Sequence, residues 1–293
     1  MEMRFLSLLM TLISTMFLMG CNIGNNNGQG SSNSNVRLVK CIEVNYERYK
    51  GYKVVRYFSY DSNDRVTKVV YTNYYDNKPY AQITTEMSYP TSSSVYMKYS
   101  VFLYEENDVI ESSLAIELNA NGYVDQLTWL DDGSPYTTYY EYDSSGHLKS
   151  ADCMISQIGW DNDFYFIDES LELSWRNGNI VSLQVSSEEE EVSTTRITYN
   201  TDLMSNINLD LNYFVVDEDS LIGELSAWGP TYSFVLPACG YLGKINTNFI
   251  ESMYDYCEDE YEYSWKFDSN GCPISCTEKF GNYQNEFKFT YYN

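Results

Sequence analysis

A short turn motif recurs along this chain and constrains its fold more than any other feature. An aromatic or aliphatic residue ends one segment, Asp or Asn with Ser forms a turn, and Gly or Asp takes the left-handed position. A segment of mixed polar and apolar residues then follows. The motif occurs at residues 60–66, 118–124, 142–148 and 267–273, with a shortened form at 175–180. Each unit is typical of a β-hairpin, so the chain is predicted to be mostly strand.

The residues after each turn break the strict alternation of a flat strand. Apolar residues stand two and five places after the turn glycine, as at Val124 and Leu127 or at Leu148 and Ala151. A spacing of three predicts a β-bulge or a strong local twist just after the turn, and repeated bulges promote curling of a sheet. We therefore expect one all-β domain over residues 36–293, a long antiparallel meander of about 12–16 strands curled into a barrel or half-barrel.

Two segments between residues 217 and 255 have helical periodicity instead. Residues 220–228 place their apolar side chains on one helical face, with acidic and serine caps before them. A weaker candidate spaces Ile245, Phe249 and Met253 four residues apart. The sheet is thus expected to carry one or two short helices that pack on it or close one end.

The first 35 residues predict where the protein lies. Residues 1–20 hold an apolar run that ends on a small residue, which is typical of a secretory signal peptide. The Leu-Met-Gly-Cys sequence ending at Cys21 is similar to the lipobox of bacterial lipoproteins, whose cysteine becomes the lipidated N-terminus. Residues 21–35 would then be a lipidated cysteine and a flexible Asn/Gly/Ser tether with a reach of about 20 Å. A plain signal peptide and a cytoplasmic protein with an apolar start are the alternatives.

Charge and spacing exclude several partners. The chain has 42 acidic and 18 basic residues and a net charge of −24. Such a surface repels nucleic acid and anionic membranes, so we expect no nucleic-acid partner and membrane contact only through the lipid anchor. The acidic clusters do not have the ligand spacing of a calcium loop, and we expect no metal and no cofactor.

Six cysteines remain once Cys21 is assigned to the anchor, an even number that allows three disulfides in an exported protein. The candidates are Cys41, Cys153, Cys239, Cys257, Cys272 and Cys276. Cys272 and Cys276 lie four residues apart on a predicted strand, about 13 Å, which is too far for a bond between them. If Phe267 faces Cys272 and Tyr263 faces Cys276, Cys257 is also a poor partner for both. Free buried thiols are the alternative.

The sequence contains no evident catalytic constellation. His147 is the single histidine and occupies a repeated turn position, which indicates a solvated turn residue rather than a catalytic base. Acidic residues are numerous enough to supply the carboxylate pair of a glycan hydrolase, but their abundance makes this pattern uninformative. We therefore expect that the protein is not an enzyme and keep glycan hydrolysis as a minor alternative.

The 30 tyrosines and five tryptophans favour binding as the functional class. Their rings can stack on sugars or line a cavity, although core packing and cross-strand pairing are the simpler interpretations. Trp160 is the first candidate because its surroundings are typical of a loop, and Tyr74, Tyr75 and Tyr80 of the turn at residues 74–80 are the second. One hypothesis is a binding module for a glycan, peptide or small apolar ligand. The other is a structural or assembly protein that holds an envelope protein through exposed tyrosines.

The chain resembles a family of uncharacterised Bacteroidetes lipoproteins, a domain of unknown function with a porin-like β fold. The resemblance rests on the lipobox and linker, the hairpin units, and the ending at residues 263–271 with its final strand. Between them, residues 210–213, the predicted helix at residues 221–228 and residues 236–237 resemble the family's middle segment. YD-repeat proteins share the hairpin unit. The resemblance implies a lipoprotein on the outer membrane of a Gram-negative bacterium and brings no catalytic residues. Residues 22–25 contain no acidic side chain, which favours an anchor that faces the periplasm. Charge on both faces of residues 53–60 predicts that the sheet does not cross the membrane.

Overall fold

The computed structural model describes most of the chain after the predicted tether. The described residues are 36–130, 137–158, 164–187, 192–204, 206–216, 235–255, 257 and 259–292, and of residues 153–158, 164–169 and 187 only the backbone is described. Cys21, Trp160 and the predicted helix at residues 220–228 lie outside this part of the chain.

Sixteen antiparallel strands of the described residues close into a barrel in which each strand pairs with its neighbours in the chain and β16 pairs with β1. The strands are β1 (Val39–Tyr46), β2 (Tyr52–Tyr60), β3 (Val66–Tyr75), β4 (Lys78–Thr91), β5 (Ser94–Leu103), β6 (Asp108–Leu118), β7 (Val124–Trp129), β8 (Thr137–Tyr142), β9 (Leu148–Ile158), β10 (Phe164–Arg176), β11 (Asn179–Ser187), β12 (Ser193–Leu203), β13 (Asn248–Tyr254), β14 (Glu260–Phe267), β15 (Pro273–Phe280) and β16 (Tyr283–Tyr291). Two short helices, α1 (Asn212–Val215) and α2 (Val235–Ala238), lie between β12 and β13.

The predicted all-β meander is confirmed, and the sheet is a closed barrel at the upper limit of the predicted strand number. The helix predicted from Ile245, Phe249 and Met253 is wrong, because Phe249 and Met253 lie in β13. Both side chains are buried in the core. A spacing of four fits one face of a strand as well as one face of a helix, since it is an even multiple of the strand period.

The repeated turns are braced by their first polar residue. The Oδ1 atom of Asp143 accepts hydrogen bonds from the backbone N–H groups of Ser145 (2.8 Å) and His147 (3.0 Å). The Asp143 N–H donates in turn to the His147 carbonyl at 2.9 Å. Gly146 has a φ of 86°, which glycine adopts without steric cost. The equivalent side-chain bonds in other units are made by Asp61, Asn119 and Asp268.

A β-bulge follows the turn, as predicted. Between β8 and β9, Glu141 pairs with Ser150 whereas Tyr142 pairs with Leu148, so β9 carries one extra residue. The hairpins β2–β3, β6–β7, β10–β11 and β14–β15 have the same shift. Because the extra residue resets the alternation, Leu148 and Ala151 both face the core and are each 2% exposed.

The aromatic residue before the turn forms a hydrogen bond to the backbone of the preceding strand. The Tyr142 hydroxyl donates to the Val124 carbonyl at 2.7 Å, and the Trp175 Nε1–H donates to the Leu148 carbonyl at 2.7 Å. In each case the acceptor lies at the start of the preceding strand. We call these side chains latch residues, and the other members of the set are Tyr60, Tyr89, Trp265 and Tyr291, which donate to Val39, Val66, Ile250 and Pro273.

The connection between β12 and β13 closes the end of the barrel where these turns lie. We call its described residues, 206–216 and 235–247, the insertion, and this end the insertion end. Leu209, Leu211 and Phe214 are buried in the hydrophobic core. Backbone bonds then tie the insertion to the hairpin turns, for example from the Lys244 N–H to the Gly146 carbonyl at 2.9 Å.

Candidate functional site

Tyrosines at the opposite end of the barrel form a group of a different kind. They come from the connections β1–β2, β3–β4 and β15–β16 and from the adjoining strand ends. We call this group the tyrosine rim: Tyr46, Tyr49, Tyr52, Tyr75, Tyr80 and Tyr283. Tyr49 is 53% exposed and Tyr75 is 58% exposed. Exposed aromatic rings that are gathered in one place, rather than scattered singly, are typical of interaction sites.

Tyr52 stands at the centre of the rim and connects its rings. The Tyr52 ring centroid lies 5.2 Å from that of Tyr46, 6.2 Å from that of Tyr49 and 6.1 Å from that of Tyr80. These separations are within the range of favourable aromatic contacts. The rings therefore form a continuous aromatic surface rather than isolated side chains.

Backbone contacts hold the two main connections of the rim together. The Asp76 N–H donates to the Gly51 carbonyl at 2.9 Å, which ties β3–β4 to β1–β2. Gly51 has a φ of 85°, and a side chain there would collide with the Asp76 carboxylate. Asp76 and Asn77 both have positive φ, as a tight two-residue hairpin requires. The rim is thus preorganised by its backbone.

One exposed arginine lies among the rings of the rim. The Arg48 guanidinium lies over the rings of Tyr49, at 5.6 Å, and Tyr283, at 5.9 Å. A cation in these positions is attracted to the faces of both rings. The neighbouring Glu47 carboxylate accepts a hydrogen bond from the Gln284 N–H at 2.8 Å. Side chains of the β1–β2 connection therefore contact the β15–β16 connection within the rim.

The structure separates the tyrosines that the sequence analysis grouped together. Tyr75 and Tyr80 lie on the rim and are exposed. Tyr74 is half-buried and pairs in register with Lys53, and the alternation of the strand places it on the outer face of the barrel. Trp160, the other candidate, lies outside the described residues.

Three tryptophans have structural roles in packing and in holding strands together. Trp129 is buried and meets the Tyr99 ring edge-on at 5.8 Å. Trp175 and Trp265 are latch residues whose indole N–H groups donate to backbone carbonyls. These rings pack against the core and hold strands together.

His147 is more enclosed than a solvated turn residue. Its ring is stacked on Trp175, with centroids 4.5 Å apart and an angle of 21° between the planes. Its Nδ1 atom lies 3.1 Å from the Asp143 Oδ2 atom. The ring therefore braces its own turn against a latch residue.

Two carboxylates are buried in the described part of the chain, and they lie at opposite ends of the barrel. Asp210 of the insertion accepts hydrogen bonds from the Asn246 N–H (2.9 Å), the Asn246 Nδ2 (2.8 Å) and the Asn212 N–H (3.1 Å). Burial raises the pKa of Asp210 to about 6 despite these bonds. Glu278 accepts from the Tyr263 hydroxyl (3.1 Å) and from Asn285 Nδ2 (2.7 Å). These carboxylates do not have the close pairing of glycoside hydrolysis.

The candidate disulfide cysteines are spread over several elements. The thiols of Cys41, Cys239, Cys257, Cys272 and Cys276 are free in the structure. The side chain of Cys153 is not among those described. The assumed facing pairs are wrong, because the bulge in β14–β15 places Phe267 opposite Pro273 and Trp265 opposite Cys276. Burial raises the pKa of the Cys276 thiol, which disfavours its reactive thiolate form.

The outer face of the barrel carries ion pairs between neighbouring strands. Their Nζ–Oε distances range from 2.9 to 3.5 Å. The pairs are Lys68–Glu86, Lys98–Glu111, Lys149–Glu141 and Lys279–Glu262. Lys and Glu thus alternate with the core-facing side chains along these strands. None of the helices in the described residues is long and apolar enough to cross a membrane.

A closed antiparallel barrel of this strand number, with an insertion packed into one end, is a porin-like β-barrel. Residues 58–275 match the profile of the family described as a domain of unknown function (DUF4595) with porin-like fold. The chain belongs to this family, which confirms the resemblance to a porin-like family of unknown function.

Two crystal structures from Bacteroides have a similar fold. A porin-like protein from Bacteroides uniformis is 15% identical with a TM-score of 0.57, and the match covers 87% of this chain and 98% of that chain. A porin-like protein from Bacteroides vulgatus is 13% identical with a TM-score of 0.52, and the match covers 87% and 99%. At these identities the likeness is one of fold alone. No curated protein matches the sequence.

Proposed function

We propose that this protein is a lipid-anchored protein of the cell envelope whose barrel is a non-catalytic binding module, and that it binds a glycan at the tyrosine rim. The observation that carries this proposal is the rim itself. Four of its rings form one contact group around Tyr52, its outermost tyrosines are exposed, and its connections are tied by backbone bonds. Rigid, exposed aromatic surfaces suit the flat C–H faces of sugar rings, and the tyrosine hydroxyls add hydrogen bonds to sugar hydroxyls.

The anchor in this proposal is Cys21, on the outer membrane and facing the periplasm. The lipobox sequence and the Asn/Gly/Ser tether support it. The cross-strand ion pairs of the outer face support a barrel that stands in water, because charged side chains are unfavourable on a lipid-facing surface. Arg37, at the end of the tether, donates to the Asn206 carbonyl at 2.8 Å at the insertion end. The tether would therefore join the barrel at the end opposite the rim, leaving the rim accessible.

The proposal is tested by screening the folded barrel on an array of bacterial and plant glycans. The rim variant combines Tyr49→Ala, Tyr75→Ala and Tyr80→Ala, and we expect it to lose at least tenfold in affinity, since stacking on each ring contributes about 1 kcal/mol. The control combines Tyr57→Ala, Tyr96→Ala and Tyr139→Ala, which remove exposed tyrosines from strands. Equal losses in both variants, or no glycan binding by the wild-type protein, would contradict the proposal.

The same screen separates the other functional classes. A partner protein held through exposed tyrosines would bind without any glycan and would be lost with the control variant. Release of shortened glycans on incubation would support the alternative that the protein is a glycan hydrolase. The separate positions of Asp210 and Glu278 are why we rank hydrolysis below binding.

A further inference from the structure

Positive charge in this acidic chain is concentrated on the first strands of the barrel. Nine of the 18 basic residues lie between residues 36 and 80. The same stretch contains only five of the 42 acidic residues. It forms β1, β2, β3 and the beginning of β4, which carry two of the connections of the tyrosine rim.

Several of these cations are already neutralised by neighbours. Lys53 pairs with Glu43 at 2.8 Å, and Lys68 pairs with Glu86 at 2.9 Å. Four others are exposed and form no ion pair with any described residue. One of them, Lys40, lies over the Tyr292 ring. The other three, Arg48, Lys50 and Lys78, lie at the rim, and we call them the basic corner.

The basic corner stands among the exposed rings of the rim. Arg48 and Lys50 flank Tyr49 in the chain, and Lys78 pairs in register with Tyr75. The Asp76–Gly51 backbone bond and the Tyr52–Tyr80 ring contact bring the two connections together. Two carboxylates are near: Glu47, which accepts the Gln284 N–H, and Asp76, which lies against Gly51.

We infer that the glycan bound at the rim is acidic, with sugars that carry carboxylates. This inference rests on the proposed function and specifies its ligand class. The tyrosine rings bind the faces of the sugars, and the basic corner binds their carboxylates through charge-assisted hydrogen bonds. A net charge of −24 repels an anionic polymer from most of the surface. The exposed cations therefore select both the ligand and the place where it docks.

The test compares oligogalacturonate with its methyl ester, in which each carboxylate is neutralised by a methyl group, by calorimetry at low and at physiological salt. We expect the wild-type protein to bind the acid about tenfold more tightly than the ester at low salt, since each of three exposed ion pairs contributes a factor of about two. The preference should decrease as salt is added. A sulfated oligosaccharide distinguishes carboxylate recognition from general anion binding, and equal affinity for it would contradict the carboxylate assignment.

Two sets of variants separate the effect of the basic corner from the effect of the net charge of the protein. The corner variant combines Lys50→Gln with Lys78→Gln and leaves Arg48 in place, because Arg48 contacts the rings of the rim. It should reduce the preference for the acid to about twofold while ester affinity is kept. The control replaces Lys98 and Lys149 by Gln, which changes net charge equally and should leave the preference intact. Equal affinity for acid and ester, or a preference that survives the corner variant, would overturn the acidic ligand and leave glycan binding standing. Absence of any tyrosine-dependent glycan binding would instead overturn the proposed function.

Discussion

The latch tyrosines at the insertion end are half-buried, and their hydroxyls donate to backbone carbonyls, as Tyr142 does to Val124. Tyrosines at the rim end contact one another, and several are exposed, as Tyr49 and Tyr75 are. The same residue type therefore has two uses in one barrel. At one end it satisfies carbonyls and stabilises the fold, and at the other it forms the surface that we propose for binding.

Truncation of one tyrosine at each end tests this difference with the largest expected effect. Tyr142→Ala removes a packed ring and leaves the Val124 carbonyl without its donor, so we expect a loss of about 3–4 kcal/mol in the free energy of unfolding. Tyr75→Ala should change it by less than about 0.5 kcal/mol. Urea unfolding of both variants measures this, and equal losses would show that rim tyrosines also stabilise the fold.

The free energy of unfolding should also depend on pH through the insertion end, and this effect is expected to be smaller. Burial raises the pKa of Asp210 from 3.8 to about 6, so the native state binds this proton more tightly than the unfolded state. Its contribution to stability is present below pH 3.8 and is lost as the pH rises to about 6, by about 3 kcal/mol in total. Asp210→Asn removes this titration, although it loses acceptor capacity at every pH.

The measurement is the difference in unfolding free energy between the wild-type protein and Asp210→Asn from pH 4 to pH 7. The wild-type protein should lose stability relative to the variant across that range. If the difference in unfolding free energy stays constant, the native state does not bind the Asp210 proton more tightly than the unfolded state does.

The turns and bulges could be predicted because they are local. The bracing carboxylate of Asp143, the positive φ of Gly146 and the apolar spacing of Leu148 and Ala151 all lie within nine residues. The latch bonds were missed because each joins residues that lie about two strands apart in the chain. Trp175 donates to a carbonyl 27 residues away. The structural role of Trp175 therefore has no local signal in the sequence.

The rim could be predicted only in part. The turn at residues 74–80 was found, but the bulge in β3–β4 and the pairing of Tyr74 with Lys53 decide which face each ring takes. Arg48 and Tyr283 meet only because β1 pairs with β16 and closes the barrel. Such a contact depends on the closure of the whole sheet and has no local signal.

The central claim, that this is a lipid-anchored protein holding a glycan at its rim, is tested most directly by native mass spectrometry of the protein extracted from its own envelope. We predict an acyl-modified Cys21 and a co-purified acidic glycan that is lost from the Tyr49, Tyr75 and Tyr80 alanine variant and kept in the variant of Tyr57, Tyr96 and Tyr139. A protein without an acyl chain would contradict the anchor. A glycan retained by the rim variant would contradict the binding site.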